Sequence, residues 1–394
     1  MTNLTPVVED KHLYVAQLTS LRGLACLVVL VGHVIQVINY HDSLLNPYLS
    51  LADNIITAAF NAQGAVLLFF VLSGCVLSLS LKNLSNLDPR QILSFYVKRV
   101  FRLYPLLWLA TGLAMVSMVV TKHVVETGVF AAWLTRNLTT SFTTSHTLMS
   151  LSGAYTRYNG PMWSLRVELL YSALFPAIYL LVKNLRLRLW VLAFLTGFAL
   201  LPIPSQLGTA FALSFAAGAL IPLLPAPSGK LNGGIAIAAL LVLLYDRLIL
   251  SQFGAPERVF DVVETAAAFF VVRDVFASGR GYRVLMFRPT AWLGELSFSI
   301  YLLHLPILLI VFTAVQGITG LPVLLNNPVI SQLGLAAVTV AITVVVSAFT
   351  FNFVELPIHN YGRRLGKRIA LGRDNQADGQ ELEPARAARV VPLR

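Results

Sequence analysis

Three stretches of this chain, Gly64–Leu81, Leu103–Val120 and Leu333–Phe351, run for about eighteen residues without one charged side chain. At about 1.5 Å of rise per residue, helices of that length can cross a bilayer core of about 30 Å. Composition supports the same reading: 57% of the 394 residues are hydrophobic and only 12% are charged. A soluble globular domain carries about 25% charged residues, so too little polar side chain is present to cover a water-exposed surface. No apolar/polar alternation of the kind a barrel needs is visible, and open sheet cannot span lipid. The expected fold is therefore an all-α, polytopic transmembrane helix bundle.

Apolar runs and polar breaks predict about ten spans, at roughly 20–39, 63–81, 103–121, 162–182, 189–204, 207–224, 233–245, 259–279, 291–315 and 330–356. The seventh must continue past Asp246 to cross fully, and the fifth and sixth are separated only by Pro202 and Pro204. Around a transmembrane domain at 20–360, the expected flanks are a cytoplasmic N-terminal segment at 1–19 and a basic, disordered cytoplasmic tail at 361–394. The mixed polar stretch Met1–Ser20 does not resemble a cleaved signal peptide, so the first span is expected to be retained.

The net charge of +11 comes from 29 Lys and Arg against 18 Asp and Glu. In a soluble domain that excess would favour nucleic acid; in a membrane chain it is first a topological signal, and no nucleic-acid partner is expected. With both termini cytoplasmic, Lys98, Arg99, Arg102, Lys183, Arg186, Arg283 and the basic tail all fall inside. The outer segments keep only Lys122, Arg136, Arg157, Arg247 and Arg258. That asymmetry agrees with the positive-inside rule. Cys26 and Cys75 both lie in apolar runs, which gives no support to a disulfide framework or a metal cluster. Residues 122–161, rich in Thr, Ser and Tyr, read either as a solvated outer loop or as a lid over an outer cavity.

Ionisable groups inside spans cost about 2.5–3.5 kcal/mol each on insertion scales, so each requires a reason. Arg22 and His33 are eleven residues apart on the first span, three helical turns plus about 20°, and so share one face about 16 Å apart. On the fourth span Ser164, Glu168 and Tyr171 form a stripe at i, i+4, i+7, beginning beside Trp163. On the ninth, Ser297, Tyr301 and His304 do the same. A buried imidazole can be a hydrogen-bonded packing residue or a general base, and Glu168 can pair with a charge on another helix or orient such a base. Interhelical hydrogen bonding is the plainer role for Ser297 and Tyr301, and helix termination with salt-bridging the plainer one for Glu355. Lys98, Arg99 and Arg102 read as inner-face anchors or as a phosphate-binding patch.

Taken together, these motifs resemble the acyltransferase 3 family of integral-membrane acyltransferases. The resemblance runs from about Leu18 to Pro357. It rests on Arg22-x10-His33, FFVLSG at Phe69–Gly74, KRVFRLYP at Lys98–Pro105, WSLRVELLY at Trp163–Tyr171, LGELSFSIYLLHLP at Leu293–Pro306 and Glu355-Leu-Pro. It implies transfer of an acyl group, commonly acetyl, from cytosolic acyl-coenzyme A to a hydroxyl of a saccharide or lipid-linked glycan, in a bacterial cytoplasmic membrane and without a metal. On that reading His33 is the base and Glu168 orients it or accepts its charge. Arg22, Lys98, Arg99 and Arg102 attract the coenzyme phosphates, and Trp163, Ser164, Tyr171, Ser297, Tyr301 and His304 form a substrate-facing or structural polar seam. Many relatives carry a further C-terminal domain; this chain is expected to act alone. The rival class is a transporter or flippase for a glycan or lipid, which the lack of an internal repeat weakens. A purely structural membrane subunit leaves the Arg22–His33 register unexplained.

Overall fold

The computed structural model describes residues 6–38, 55–82, 88–201, 211–225, 231–277, 281–326 and 328–371. Its long helices are α1 (Pro6–Ile35), α2 (Ala62–Ser80), α3 (Pro89–Val125), and, after two short helices α4 (Ala132–Leu138) and α5 (Thr144–Leu151), α6 (Met162–Lys183). There follow α7 (Arg188–Leu200), α8 (Ala212–Leu220), α9 (Leu231–Leu250), α10 (Glu257–Ala277), α11 (Arg288–Thr319), α12 (Pro328–Thr350) and α13 (Leu356–Leu371). The only strand-like pairing among the described residues is one isolated bridge between Ile38 and Phe130. The chain is an all-helical membrane bundle.

All ten expected spans contain helix, and among the described residues seven helices are long and apolar enough to cross a membrane. The exceptions have physical reasons. Among the described residues α7 and α8 have 13 and 9 residues, too short for a bilayer core, and 202–210, where the expected fifth and sixth spans meet, lie outside the described residues. α10 has the length but carries Glu257, Arg258, Asp261, Glu264, Arg273 and Asp274. The seventh span does pass Asp246, as its length requires.

Helix starts follow local chemistry. The Asn61 side chain caps α2 by accepting from the Gly64 amide at 3.0 Å, and Asp88 caps α3 by accepting from the Arg90 amide at 2.9 Å, with Pro89 in the first turn. Because α3 starts there, the basic stretch Lys98–Arg102 is continuous helix rather than a break ahead of the third span. At the other end of the chain, α12 passes through a π-helical turn at Phe351–Glu355 directly into α13. Residues 361–371 are thus helical, which corrects the disordered tail expected from 361 onward; 372–394 lie outside the described residues. α1 begins at Pro6, within the expected N-terminal segment, and its candidate membrane-crossing part starts at Ala16.

Small residues bring the helices together, as expected where lipid supplies no hydrophobic drive between them. A Cβ on Gly23 of α1 would sit 2.6 Å from the Gly294 amide nitrogen of α11, and one on Gly294 would collide with the Thr19 carbonyl. Gly74 of α2 and Gly218 of α8 likewise face each other's backbone, and the Ser78 hydroxyl donates to the Ala219 carbonyl at 3.0 Å. α9 and α10 are tied by Arg247, which pairs with Glu257 at 2.9 Å and with the fully buried Glu264 at 2.8 Å. Arg247 is therefore a half-buried interhelical ion rather than a loop cation.

The segment after α3 caps the His33 end of α1. The Ala131 amide donates to the Val37 carbonyl at 3.1 Å, the Trp133 indole N–H donates to the Gln36 carbonyl at 3.4 Å, and the buried Asn159 amide donates to the Leu302 carbonyl at 2.8 Å. Its two ends form a folded cover, while 141–145 between them stay exposed.

Candidate active site

The α1–α11 crossing lays the two polar stripes along one another. Arg22, Ser297 and Tyr301 line a cavity between α1, α2, α3, α6 and α11, together with Arg99, Arg102 and Glu168. Arg99 forms an ion pair with Glu168 and donates from Nε to the Ser172 hydroxyl at 3.1 Å. Arg22 stands in the electrostatic field of Glu355 and Glu168, with Arg99 a like-charged neighbour. Glu355 accepts from the Ser299 hydroxyl at 2.9 Å; the π turn aims its carboxylate at α11 instead of ending the helix. Deeper in, the Ser164 hydroxyl donates to Tyr301 Oη at 2.7 Å, and Tyr301 donates to the Pro161 carbonyl at 3.2 Å.

Beyond Tyr301 the stripe ends in two histidines. His304 is 1% exposed, and its Nδ1 lies 2.6 Å from the Tyr301 carbonyl, so Nδ1 carries the proton and Nε2 is left as an acceptor. His33 Nδ1 lies 2.9 Å from the Val29 carbonyl and 3.2 Å from His304 Nε2. One N–H shared between those two acceptors satisfies both contacts. His33 Nε2 then keeps its lone pair, the state a general base requires. The Trp133 ring sits 5.6 Å from the His33 ring, so the folded cover closes directly over the imidazole.

The chain matches the acyltransferase 3 family model, described as an acyltransferase domain, over residues 15–348. It belongs to the acyltransferase 3 family. No curated protein and no solved structure shows significant similarity to it. It is accordingly an integral-membrane acyltransferase, and its site has to be read from its own residues.

In this acyltransferase the expected partnership of Glu168 with His33 is not what the helices build. Glu168 is held by Arg99 and faces the cavity, whereas the group bonded to His33 is His304. Trp163 and Tyr171 also leave the polar seam. Trp163 packs among Phe70 and Phe211, and Tyr171 stacks on Phe215 at 4.9 Å. Ser164, Ser297, Tyr301 and His304 do form a continuous stripe, with Ser297 turned back to the Gly294 carbonyl at 2.7 Å.

Sequence reasoning missed Trp133, Ser172, His359 and Arg363. A second cavity adjoins the first, sharing Arg99 and Arg102 with it and adding Lys98 together with His359 and Arg363 from α13. The i, i+4 spacing of His359 and Arg363 on an amphipathic helix was the available signal. It was hidden by assigning that stretch to the tail.

Proposed function

We propose that this protein transfers an acyl group, most simply acetyl, from cytosolic acyl-coenzyme A to a hydroxyl of a saccharide or lipid-linked glycan. The observation that carries the reading is the junction at Arg99 and Arg102. It joins a cationic mouth to a largely apolar interior crossed by the hydroxyls of Ser164, Ser297 and Tyr301, a polar stripe that leads towards His33. Cations at the mouth suit phosphates, and an apolar interior with a few hydroxyls suits an extended thioester arm. The mouth then faces the cytoplasm, consistent with the concentration of Lys and Arg there and with a bacterial cytoplasmic membrane location.

The chemistry balances with this chain's own groups. The acceptor hydroxyl oxygen bonds to the thioester carbonyl carbon while its proton passes to His33 Nε2. The resulting imidazolium is steadied by its Nδ1–H, which faces the Val29 carbonyl and His304 Nε2. As the carbon–sulfur bond breaks, the departing thiolate recovers that proton, giving free coenzyme A and the new ester. General-base assistance of this kind is worth about 10²–10⁴ in rate. The Arg99–Glu168 pair fixes the guanidinium at the junction instead of taking part in proton transfer.

Membrane vesicles supplied with acetyl-labelled acetyl-coenzyme A test the reading. Label recovered on an extractable glycan or glycolipid, with release of free coenzyme A, is the expected result. Movement of a glycan or lipid across the vesicle membrane with no thioester turnover would instead establish the transporter reading.

A further inference from the structure

α13 lies beyond the residues that match the family, and its sequence LPIHNYGRRLGKRIAL is strongly amphipathic. It does not project away from the bundle. Gly362 lies against the Phe101 side chain, and a Cβ on Gly366 would meet Lys98 Cε at 2.6 Å and the Ser94 carbonyl at 3.1 Å. The Tyr361 and Phe101 rings pack 5.4 Å apart. Two glycines one helical turn apart thus let α13 lie flush on the basic half of α3.

That docking concentrates positive charge. The second cavity is walled by Lys98, Arg99 and Arg102 from α3 and by His359 and Arg363 from α13, and no acidic side chain lines it among the described residues. Arg99 has its own carboxylate in Glu168. Among the described residues Arg102 has no ion pair but stands in the field of Glu355 and Glu168, and Lys98 and Arg363 have no ion-pair partner. Arg363 and Lys367 both act on Lys98 as like charges. Like charges gathered around a cavity that no carboxylate lines favour a bound anion there.

We infer that α13 is a working wall of the donor site, with Arg363 and His359 closing on the phosphates of a phosphorylated nucleotide carrier that Lys98 and Arg102 hold from the opposite side. The inference rests on the donor reading above and extends it to residues outside the family match. The shared chemistry is a phosphate group, which an anionic lipid headgroup could also present.

Binding of coenzyme A to the purified full-length protein separates these sources without needing the acceptor. In nanodiscs of zwitterionic lipid only, Arg363→Gln is expected to weaken coenzyme A binding about tenfold, the loss of one charge-assisted contact. Arg363→Lys should keep most of the affinity, and both variants should stay monodisperse. His359→Gln should weaken binding in the same direction by less. Unchanged coenzyme A affinity in Arg363→Gln overturns the inference while leaving the donor reading intact. So does an effect confined to nanodiscs containing phosphatidylglycerol, with the variant losing bound anionic lipid instead of coenzyme A. A wild-type protein that binds no coenzyme A overturns the donor reading, and this inference with it.

Discussion

His304 Nε2 lies 3.2 Å from His33 Nδ1, a contact made between residues 271 positions apart in the chain. Each ring is also tied to a carbonyl of its own helix, Val29 for His33 and Tyr301 for His304. Those ties set the tautomers, so His304 can only accept from His33, and His33 Nε2 remains the basic atom. In serine hydrolases a carboxylate steadies the second nitrogen of the base; here a neutral imidazole and a backbone carbonyl occupy that place, which suits a site inside lipid where a lone carboxylate is expensive.

The first expected outcome follows from that assignment. His33→Ala should lower acyl transfer by about 10²–10⁴, the usual worth of a positioned base, while protein level in the membrane stays normal. Alanine is a strong helix former, so α1 itself should be retained. Labelled-acetyl incorporation, normalised to protein detected in the same membranes, checks it; near-normal incorporation removes His33 from the mechanism.

In the proposed mechanism His304 acts through His33, and its variants should separate accordingly. His304→Ala deletes the acceptor and is expected to cut kcat about tenfold, roughly the value of one hydrogen bond to a charged group, with KM for the donor little changed. His304→Gln restores an acceptor of similar reach and should recover much of the rate. A purely structural histidine would show no such rescue, and its loss would appear in thermal unfolding instead.

How much of this was legible in the chain depends on the kind of information required. Arg22 and His33 share a face because helical periodicity alone puts them there, and the Ser297–Tyr301–His304 stripe is equally local. Pairings between helices are not local. Nothing in the spacing of Glu168 says that its partner is Arg99 rather than His33, because that depends on which turn of α3 faces α6. α13 was hidden for a third reason. Its basic, glycine-containing composition is that of a tail until Phe101 and Ser94 are seen filling the space its two glycines leave.

The Arg99–Glu168 pair predicts a non-additive pair of variants. Its side chains are 12% and 14% exposed, so removing either partner strands a charge in a poorly solvated place. Arg99→Met or Glu168→Met alone should destabilise the protein by about 3–5 kcal/mol, whereas the double replacement should recover a large part of that loss. Thermal unfolding in detergent reads the stability. Glu168→Gln, which still accepts from Arg99, should cost far less activity than His33→Ala. Equal losses would return Glu168 to a direct role at the base.

The close crossing of α1 and α11 supplies the last prediction. A methyl group on Gly294 runs into the Thr19 carbonyl, and backbone cannot rotate away as a side chain could. The helices must separate, and the His33–His304 contact lies along the same crossing, so Gly294→Ala is expected to cost about 1–3 kcal/mol in stability and to reduce activity more than that loss alone explains. Gly112 in α3 is the matched control. A Cβ there meets nothing within 4 Å, so Gly112→Ala should be neutral or should stabilise by up to about 1 kcal/mol through helix propensity. Comparing the two variants by thermal unfolding and by activity per folded molecule isolates the crossing. If Gly294→Ala unfolds earlier but the surviving protein keeps full activity, the helix contact sets stability alone and the His33–His304 geometry tolerates its loss.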